Sequence, residues 1–387
     1  MNAPLDYVAV GAGIFGSVFA RCAAEAGKRV LVVDRRPHVA GNCYSRQVDG
    51  VEVHQYGPHI FHTNNRRVWE FVNRFTEFNH YRHRGVVRHG DRLFSFPINL
   101  TTLHQLWGVT TPAEARQRLE RAASSERAAS LERAGASPPP ADNDNLESWI
   151  ISQVGRELYE LFVRGYTTKQ WGRDPRELPA SIIKRIPIRL TWDDNYFDDQ
   201  YQGIPTGGYT RLFENMLDHP NIRVETGVDF FAQRRELERS GARLVYSGKI
   251  DEYFDYRCGE LEYRSLRFET MTLPGDFQGT SIVNYGEASV PYTRAVEHKH
   301  FAMREHASTV VTYEYPQAYE RGREAFYPIR DERNMAMYQQ YRQLAEGVDA
   351  VFGGRLGSYQ YFDMHQVFGQ ALAVAERELS GERRLAA

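Results

Sequence analysis

Three glycines near the N-terminus and one acidic residue have the clearest chemical meaning. Gly11, Gly13 and Gly16 form a GxGxxG pattern, and Asp34 follows Gly16 by 18 residues. Glycines in this pattern let the chain turn tightly, let its backbone approach a diphosphate, and let a helix pack closely on a strand. The acidic residue can accept hydrogen bonds from ribose hydroxyls. The spacing predicts a dinucleotide site.

A strand, a turn and a helix must hold these residues in place. The apolar residues 8–10 indicate a strand, and Ile14, Val18 and Cys22 recur at helical spacing after the glycines. Residues 30–33 form a continuous apolar run, as in a parallel strand that is covered on both faces. The N-terminus of the helix would present unpaired N–H groups and a positive dipole end to a diphosphate.

The residues after Asp34 favour FAD over NAD as the dinucleotide. Within residues 34–42, Gly41 and Asn42 follow the acid closely. This resembles the second glycine-containing element of FAD proteins such as amine oxidases, which NAD proteins lack. We therefore predict that FAD binds here.

Further along the chain, Tyr, Trp, Arg and Asn occur in dense clusters. Aromatic rings can stack on uracil or a sugar face, and an arginine offers a charged, planar fork to a diphosphate. Such a pocket suits UDP better than a free sugar or a lipid. Packing is the alternative for any single cluster, because the chain has 23 tyrosines and 43 arginines. The clusters are 165–172, 184–197, 262–265, 284–294 and 326–328.

Composition excludes several other classes of protein. A net charge of −2 gives no reason to expect wholesale binding of nucleic acid or anionic membranes. No apolar stretch approaches the roughly 18 residues of a membrane helix, and the first residues lack the basic region of a signal peptide. The three cysteines share no metal-ligand spacing, so we predict reduced thiols in a cytoplasm and no metal site.

The order of elements predicts an α/β fold with a discontinuous Rossmann-type FAD-binding domain. It would comprise residues 1–75, about 203–245 and 350–387. A helical domain would be inserted at about 76–184, and the low-complexity segment 121–145 would form an exposed helix end and a loose loop. Short β-rich runs predict an antiparallel β-sheet domain for the substrate, made of about 185–202 and 246–349.

Ten further segments, spread along the chain, have distinctive sequences. They are 57–64, 165–172, 184–187, 201–205, 254–257, 262–265, 291–294, 297–301, 353–356 and 363–366. Together these segments closely resemble bacterial UDP-galactopyranose mutase, and the resemblance extends from residue 7 to about residue 372. The chain departs from that family in its longer 121–145 segment and in Asp34, where many members have Glu.

The resemblance implies how the chain would hold FAD. His59 would lie beside the flavin, with a backbone that responds to the flavin's redox state; a histidine that is simply hydrogen-bonded in a turn is the alternative. The implied cofactor residues are Gly11, Gly13, Phe15, Gly16, Asp34, Arg35, Gly41, Asn42, His59, Ile60, Arg355, Asp363 and Met364.

The resemblance also implies a substrate site and a mobile lid near residues 171–176. Arg185 and Arg294 would grip the diphosphate and, with His59, would be the catalytic residues. The implied substrate residues are Tyr166, Thr167, Trp171, Arg185, Tyr196, Arg264, Asn284, Arg294, Tyr327 and Tyr361.

The implied reaction interconverts UDP-galactopyranose and UDP-galactofuranose without net redox change. N5 of the reduced flavin would attack C1 of galactose while UDP departs. Family members are often homodimers, and their product serves cell-surface polysaccharide synthesis. One alternative is a redox flavoenzyme of the amine oxidase or desaturase kind, which would share the N-terminal motif. Another is a binding protein without catalysis.

Overall fold

The computed structural model describes residues 4–134, 145–184 and 187–381. The predicted loose loop lies mostly outside these residues, whereas its preceding part is helical as far as Ala134. The strands are β1 (Tyr7–Val10), β2 (Val30–Asp34), β3 (Ser45–Val48), β4 (Val51–His54), β5 (Phe61–Thr63), β6 (Gly85–His89), β7 (Arg92–Phe96), β8 (Tyr201–Gly203), β9 (Ile222–Thr226), β10 (Arg243–Tyr246), β11 (Tyr263–Pro274), β12 (Ile282–Tyr285), β13 (Arg294–Glu297), β14 (Ser308–Ala318), β15 (Tyr327–Pro328) and β16 (Ala350–Phe352).

Helices connect and cover these strands, and short 3-10 and π-helical turns join some of them. Among the described residues, none of the helices is long and apolar enough to cross a membrane. The α-helices are α1 (Ile14–Glu25), α2 (Arg66–Val72), α3 (Leu100–Trp107), α4 (Pro112–Ala134), α5 (Leu146–Tyr159), α6 (Gly165–Trp171), α7 (Ser181–Lys184), α8 (Gly208–Leu217), α9 (Phe230–Arg239), α10 (Ile250–Tyr253), α11 (Glu332–Glu346), α12 (Gly354–Gly357) and α13 (Met364–Leu379).

A five-stranded parallel sheet, in the order β16-β10-β1-β2-β9, carries the glycine motif. Its strands alternate between two cores: Ala9 and Val32 pack with α1, α8 and α13, whereas Val8 and Leu31 pack with α9, α10 and α11. Helices therefore cover both faces, which explains the continuous apolar runs of β1 and β2. The predicted Rossmann-type α/β fold is confirmed.

A seven-stranded sheet follows the order β15-β11-β14-β13-β12-β6-β7. Its pairs are antiparallel, as predicted, except that β12 and β6 run parallel. The hairpin of β6 and β7 falls in the range predicted to be helical. Its signal is local: two short runs that contain Val, Leu and Phe flank a two-residue turn at Gly90 and Asp91. The predicted domain boundaries remain a prediction.

Helices α3, α4 and α5 pack beside this hairpin in an apolar core of their own. Helix α5 is interrupted at Gly155, where φ is 79° and ψ is 169°. A Cβ at Gly155 would lie 2.7 Å from the Cβ of Ala122, so glycine allows α4 and α5 to approach closely. Five π-helical residues, Glu160–Arg164, then lead into α6.

Candidate active site

The glycine motif forms the turn between β1 and α1. Gly11 has a φ of 102°, and a Cβ there would lie 2.2 Å from Oγ of Ser247. A Cβ at Gly16 would lie 2.0 Å from the carbonyl oxygen of Gly11, so both positions require glycine. Gly13 begins α1 without a side-chain cap, which leaves the first N–H groups of the helix for a ligand.

Asp34 ends β2 and is 9% exposed. Its two carboxylate oxygens accept hydrogen bonds from the backbone N–H groups of Ala12 (2.8 Å) and Arg36 (2.9 Å). These bonds hold the carboxylate against the glycine turn, where it also lines a cavity. Contact of this carboxylate with a ribose stays a prediction.

A first cavity of about 260 Å³ runs along the carboxyl ends of these strands. Most of the predicted cofactor residues line it. Gly16 instead packs beneath the turn, and Ile60 and Asp363 line a second cavity. The predicted residues on the first cavity are Gly11, Gly13, Phe15, Asp34, Arg35, Gly41, Asn42, His59, Arg355 and Met364.

The second cavity, also about 260 Å³, adjoins the first. Asn42, His59, Arg355 and Met364 line both, so the two cavities share a junction. Most of the predicted substrate residues line the second cavity, although they come from separate elements. They are Tyr166, Thr167, Trp171, Tyr196, Asn284, Arg294, Tyr327 and Tyr361.

Of the two remaining predicted substrate residues, Arg264 does not line this cavity. Arg185 lies outside the described residues. Arg264 is 8% exposed and donates hydrogen bonds to the carbonyl oxygens of Gln170 (2.9 Å) and Lys169 (3.2 Å). This placement behind α6 favours a positioning role for Arg264 over the predicted direct contact with substrate.

Arg294 is held from behind by a buried carboxylate. Its Nε and Nη2 both donate to Oε1 of Glu314, at 3.2 and 2.6 Å, and Glu314 is fully buried. Burial lowers the pKa of Arg294, but the attraction of Glu314 raises it more, so the net shift is well upward. The cavity therefore has a permanent, oriented positive charge on its wall.

Aromatic rings surround this charge. Tyr327 and Tyr361 stack with centroids 5.3 Å apart, and Trp171 lies 6.1 Å from Tyr361. Arg355 lies over both tyrosine rings, at 5.4 and 5.7 Å. Burial raises the pKa of Tyr166 to about 12, so its hydroxyl remains protonated and can donate a hydrogen bond.

His59 lies in a turn after β4 and lines both cavities. Its Nδ1 is 2.8 Å from the carbonyl oxygen of Gly57, and its backbone N–H donates to Nδ1 of His54 at 3.1 Å. Burial lowers the pKa of His59 to about 4, so the ring is neutral at pH 7. Nδ1 must carry the proton, since a carbonyl oxygen can only accept.

The predicted lid follows Trp171. Gly172 ends α6 with a φ of 65°, and Arg173 then forms ion pairs with Glu262 (2.5 Å) and Asp331 (2.8 Å). In this structure the start of the segment is therefore tied to the edge of the seven-stranded sheet. Movement of the lid stays a prediction.

Several residues of the site were not predicted from the sequence. Glu314 is one, although a glutamate on the buried side of an alternating strand could have marked it. His62 is another: it lines the second cavity, and its Nδ1 lies 2.6 Å from a carboxylate oxygen of Asp199. His83 and Phe197 also line this cavity.

Comparison with known proteins shows which family this chain resembles. A family model described as UDP-galactopyranose mutase matches residues 161–361, and one described as NAD(P)-binding Rossmann-like domain matches residues 10–75. A probable UDP-galactopyranose mutase of Klebsiella pneumoniae is 42% identical, over 96% of this chain and 94% of the relative. The dTDP-fucopyranose mutase of Escherichia coli is 38% identical, over 95% of this chain and 96% of the relative.

Solved structures share the fold. The crystal structure of a reduced UDP-galactopyranose mutase superposes with a TM-score of 0.74 at 14% identity, covering 98% of this chain and 94% of that one. A putative protoporphyrinogen oxidase from Exiguobacterium has a TM-score of 0.64 at 11% identity, covering 98% of this chain and 99% of that one. The fold alone thus does not separate isomerases from oxidases. Sequence identity does, and the chain belongs to the UDP-galactopyranose mutase family of isomerases.

Proposed function

We propose that this protein interconverts UDP-galactopyranose and UDP-galactofuranose with FAD as its cofactor. The observation that carries the proposal is Arg294, which lines an aromatic cavity while the buried carboxylate of Glu314 holds its guanidinium. An oriented guanidinium suits a diphosphate, and the surrounding rings suit a uracil and a sugar face. Membership of the family supplies the reaction.

FAD fits the residues of the first cavity. The uncapped N-terminus of α1 can bind the diphosphate, and the carboxylate of Asp34, which lines the same cavity, can accept hydrogen bonds from an adenosine ribose. His59 and Arg355 line the junction, where a flavin would meet the substrate cavity. FAD, when bound and reduced, would supply the nucleophile for C1 of galactose with no net redox change.

The chain's own residues would bind and orient the UDP-sugar. Tyr166 and Trp171 offer aromatic faces for uracil, and burial raises the pKa of Tyr327, so its hydroxyl stays a donor toward phosphate. Arg294 would stabilise the charge that grows on the β-phosphate as the bond to C1 breaks. Arg185 is the proposed second arginine for this task, and closure of the 171–176 lid would exclude water.

One assay tests the proposal directly. The purified yellow protein is incubated with UDP-galactofuranose, with and without dithionite, and the nucleotide sugars are separated by chromatography. We expect UDP-galactopyranose to appear only under reduction. No conversion in either state, despite bound FAD, would overturn the proposal; oxygen consumption in step with substrate loss would favour the redox flavoenzyme. Because one relative is named dTDP-fucopyranose mutase, dTDP-fucofuranose is assayed in parallel.

Two further proposals concern location and assembly. The three cysteines are free thiols, as suits a reducing compartment, and we propose a cytoplasmic enzyme. Because family members are often dimers, we propose a homodimer of this 44.6 kDa chain. Light scattering on the purified protein tests the assembly, since a homodimer has twice the mass of the chain.

A further inference from the structure

His54, at the end of β4, lies directly behind the turn that carries His59. Its side chain is 1% exposed, and its ring stacks on Phe301 with centroids 4.8 Å apart and 8° between the planes. Nδ1 of His54 accepts the backbone N–H of His59 at 3.1 Å. A side chain that lines neither cavity thus holds the backbone of a residue that lines both.

The hydrogen-bond partners determine the protonation of His54 and of its neighbour His298. Nδ1 of His54 faces an N–H donor, so it must be unprotonated. Nδ1 of His298 accepts the backbone N–H of His54 at 3.3 Å, and its Nε2 lies 2.9 Å from the hydroxyl of Thr312. His298 therefore carries its proton on Nε2 and anchors the backbone of His54 from behind.

Burial keeps both rings in these neutral forms. It lowers the pKa of His54 well below its ordinary value and that of His298 to about 3. Protonation of Nδ1 on either ring would replace an acceptor with a donor that faces an N–H group. The chain of bonds from Thr312 to His59 therefore has a single arrangement of protons at neutral pH.

We propose that His54 is a positioning residue for the reaction: its Nδ1 holds the His59 backbone at the junction of the two cavities. The inference rests on the proposed function, because it assigns His54 a part in turnover through His59. His59 presents its ring and its peptide groups to the place where flavin and substrate would meet. Loss of the acceptor frees that backbone without removing any group from either cavity.

The rival explanation is that His54 only fills space against Phe301. Leucine separates the two, because it fills similar volume but has no acceptor. Nε2 of His54 has no hydrogen-bond partner among the described residues, so replacement by leucine breaks no hydrogen bond at Nε2. Asparagine is the matched control, since its Oδ1 lies the same number of bonds from Cα as Nδ1 of histidine.

The experiment compares His54→Leu and His54→Asn with the wild type. Hydrogen exchange of a peptide covering residues 55–61, followed by mass spectrometry, reports on the His59 amide. In His54→Leu we expect this amide to exchange about tenfold faster, the size of one lost hydrogen bond, and in His54→Asn to keep wild-type protection. With reduced enzyme, kcat should fall about tenfold in the leucine variant with little change in KM, and asparagine should restore it.

The controls are FAD absorbance and the melting temperature of each variant. Unchanged exchange and turnover in His54→Leu would overturn the proposal, and equal losses in both variants would show a packing role instead. If the wild type does not isomerise UDP-galactofuranose, the proposed function fails. The exchange comparison would still decide whether His54 holds the turn.

Discussion

Arg294 and Glu314 face each other across neighbouring strands, β13 and β14, and form an ion pair in which the carboxylate is fully buried and the guanidinium partly exposed. Oε1 of Glu314 accepts both bonds from Arg294, and Oε2 has no partner among the described residues. Glu314 is thus a fully buried carboxylate whose one ion-pair partner among the described residues is Arg294. Because an unpaired buried charge is costly, each member of the pair constrains the other.

Arg294→Ala should nearly abolish turnover while FAD stays bound. We expect a loss of about a hundredfold or more in kcat, because an oriented donor toward developing charge is removed. The unfolding free energy should also fall, by about 3–5 kcal/mol, because Glu314 is left unpaired. Steady-state kinetics and denaturant unfolding measure the two effects.

A double variant separates stability from catalysis. Arg294→Met with Glu314→Gln removes both charges, so most of the lost stability should return while turnover stays low. Near-normal turnover in Arg294→Ala would show that the phosphate assignment is wrong.

Gly13→Ala should reduce FAD occupancy with little effect on folding. A Cβ at Gly13 would find its nearest neighbour at 3.7 Å, an ordinary contact, but it would project where a diphosphate must approach. Absorbance of the bound flavin and the melting temperature of the apo-protein measure the two effects. Gly27→Ala is the control: its φ of 80° strains alanine in open space away from the site, so it should affect stability and spare FAD.

Stability should fall as pH drops below about 6.5, because several buried histidines remain neutral in the folded protein. Burial lowers the pKa of His59 to about 4 and that of His83 and His298 to about 3. Between pH 6.5 and 4 the unfolded chain binds protons that the folded chain does not. Each such histidine therefore adds up to about 1.4 kcal/mol per pH unit to the slope of the unfolding free energy against pH.

Urea unfolding between pH 4.5 and 7.5 measures this slope. His298→Gln should make it shallower by about one histidine's share, because glutamine does not titrate. An unchanged slope in that variant would contradict the account of His298 as neutral and buried.

Arg173→Ala should loosen the segment after Trp171. The variant loses the ion pairs to Glu262 and Asp331, which together contribute about 1 kcal/mol at this partly exposed position. Limited proteolysis within residues 172–184 should become about fivefold faster, and KM should rise. Arg176→Ala is the matched control, since the one ion pair of Arg176 with a described residue is to Asp174, within the segment, and Arg176 is exposed. Equal rates of proteolysis in both variants would contradict the proposal that the ion pairs of Arg173 restrain this segment.

The dinucleotide site was predictable because its signals are local. The glycines that β1 and α1 require lie within six residues, and Asp34 follows at the end of the next strand. Family resemblance then located the aromatic and arginine residues of the second cavity. The hairpin of β6 and β7 was not predicted, although its Val, Leu and Phe residues and its two-residue turn are visible in the sequence.

Other features depend on contacts between distant segments. Nothing near Arg264 indicates that its guanidinium bonds to carbonyls of α6 rather than facing the cavity. Nothing near His54 indicates that its ring would meet Phe301, or that His298 would hold its backbone. These contacts arise only when β4 packs against residues that lie more than 200 positions further along the chain.

The sequence by itself determined the glycine-rich dinucleotide motif, the family, and most of the residue types that line the second cavity. These follow from short-range spacing, because a tight turn and an exposed helix N-terminus require particular residues at particular steps. Only the tertiary structure decided that Arg264 lies behind α6, which carboxylate orients Arg294, and which ring holds the His59 turn. Burial and hydrogen-bond partners are properties of packed neighbours, and strand pairing brings those neighbours together regardless of their separation along the chain.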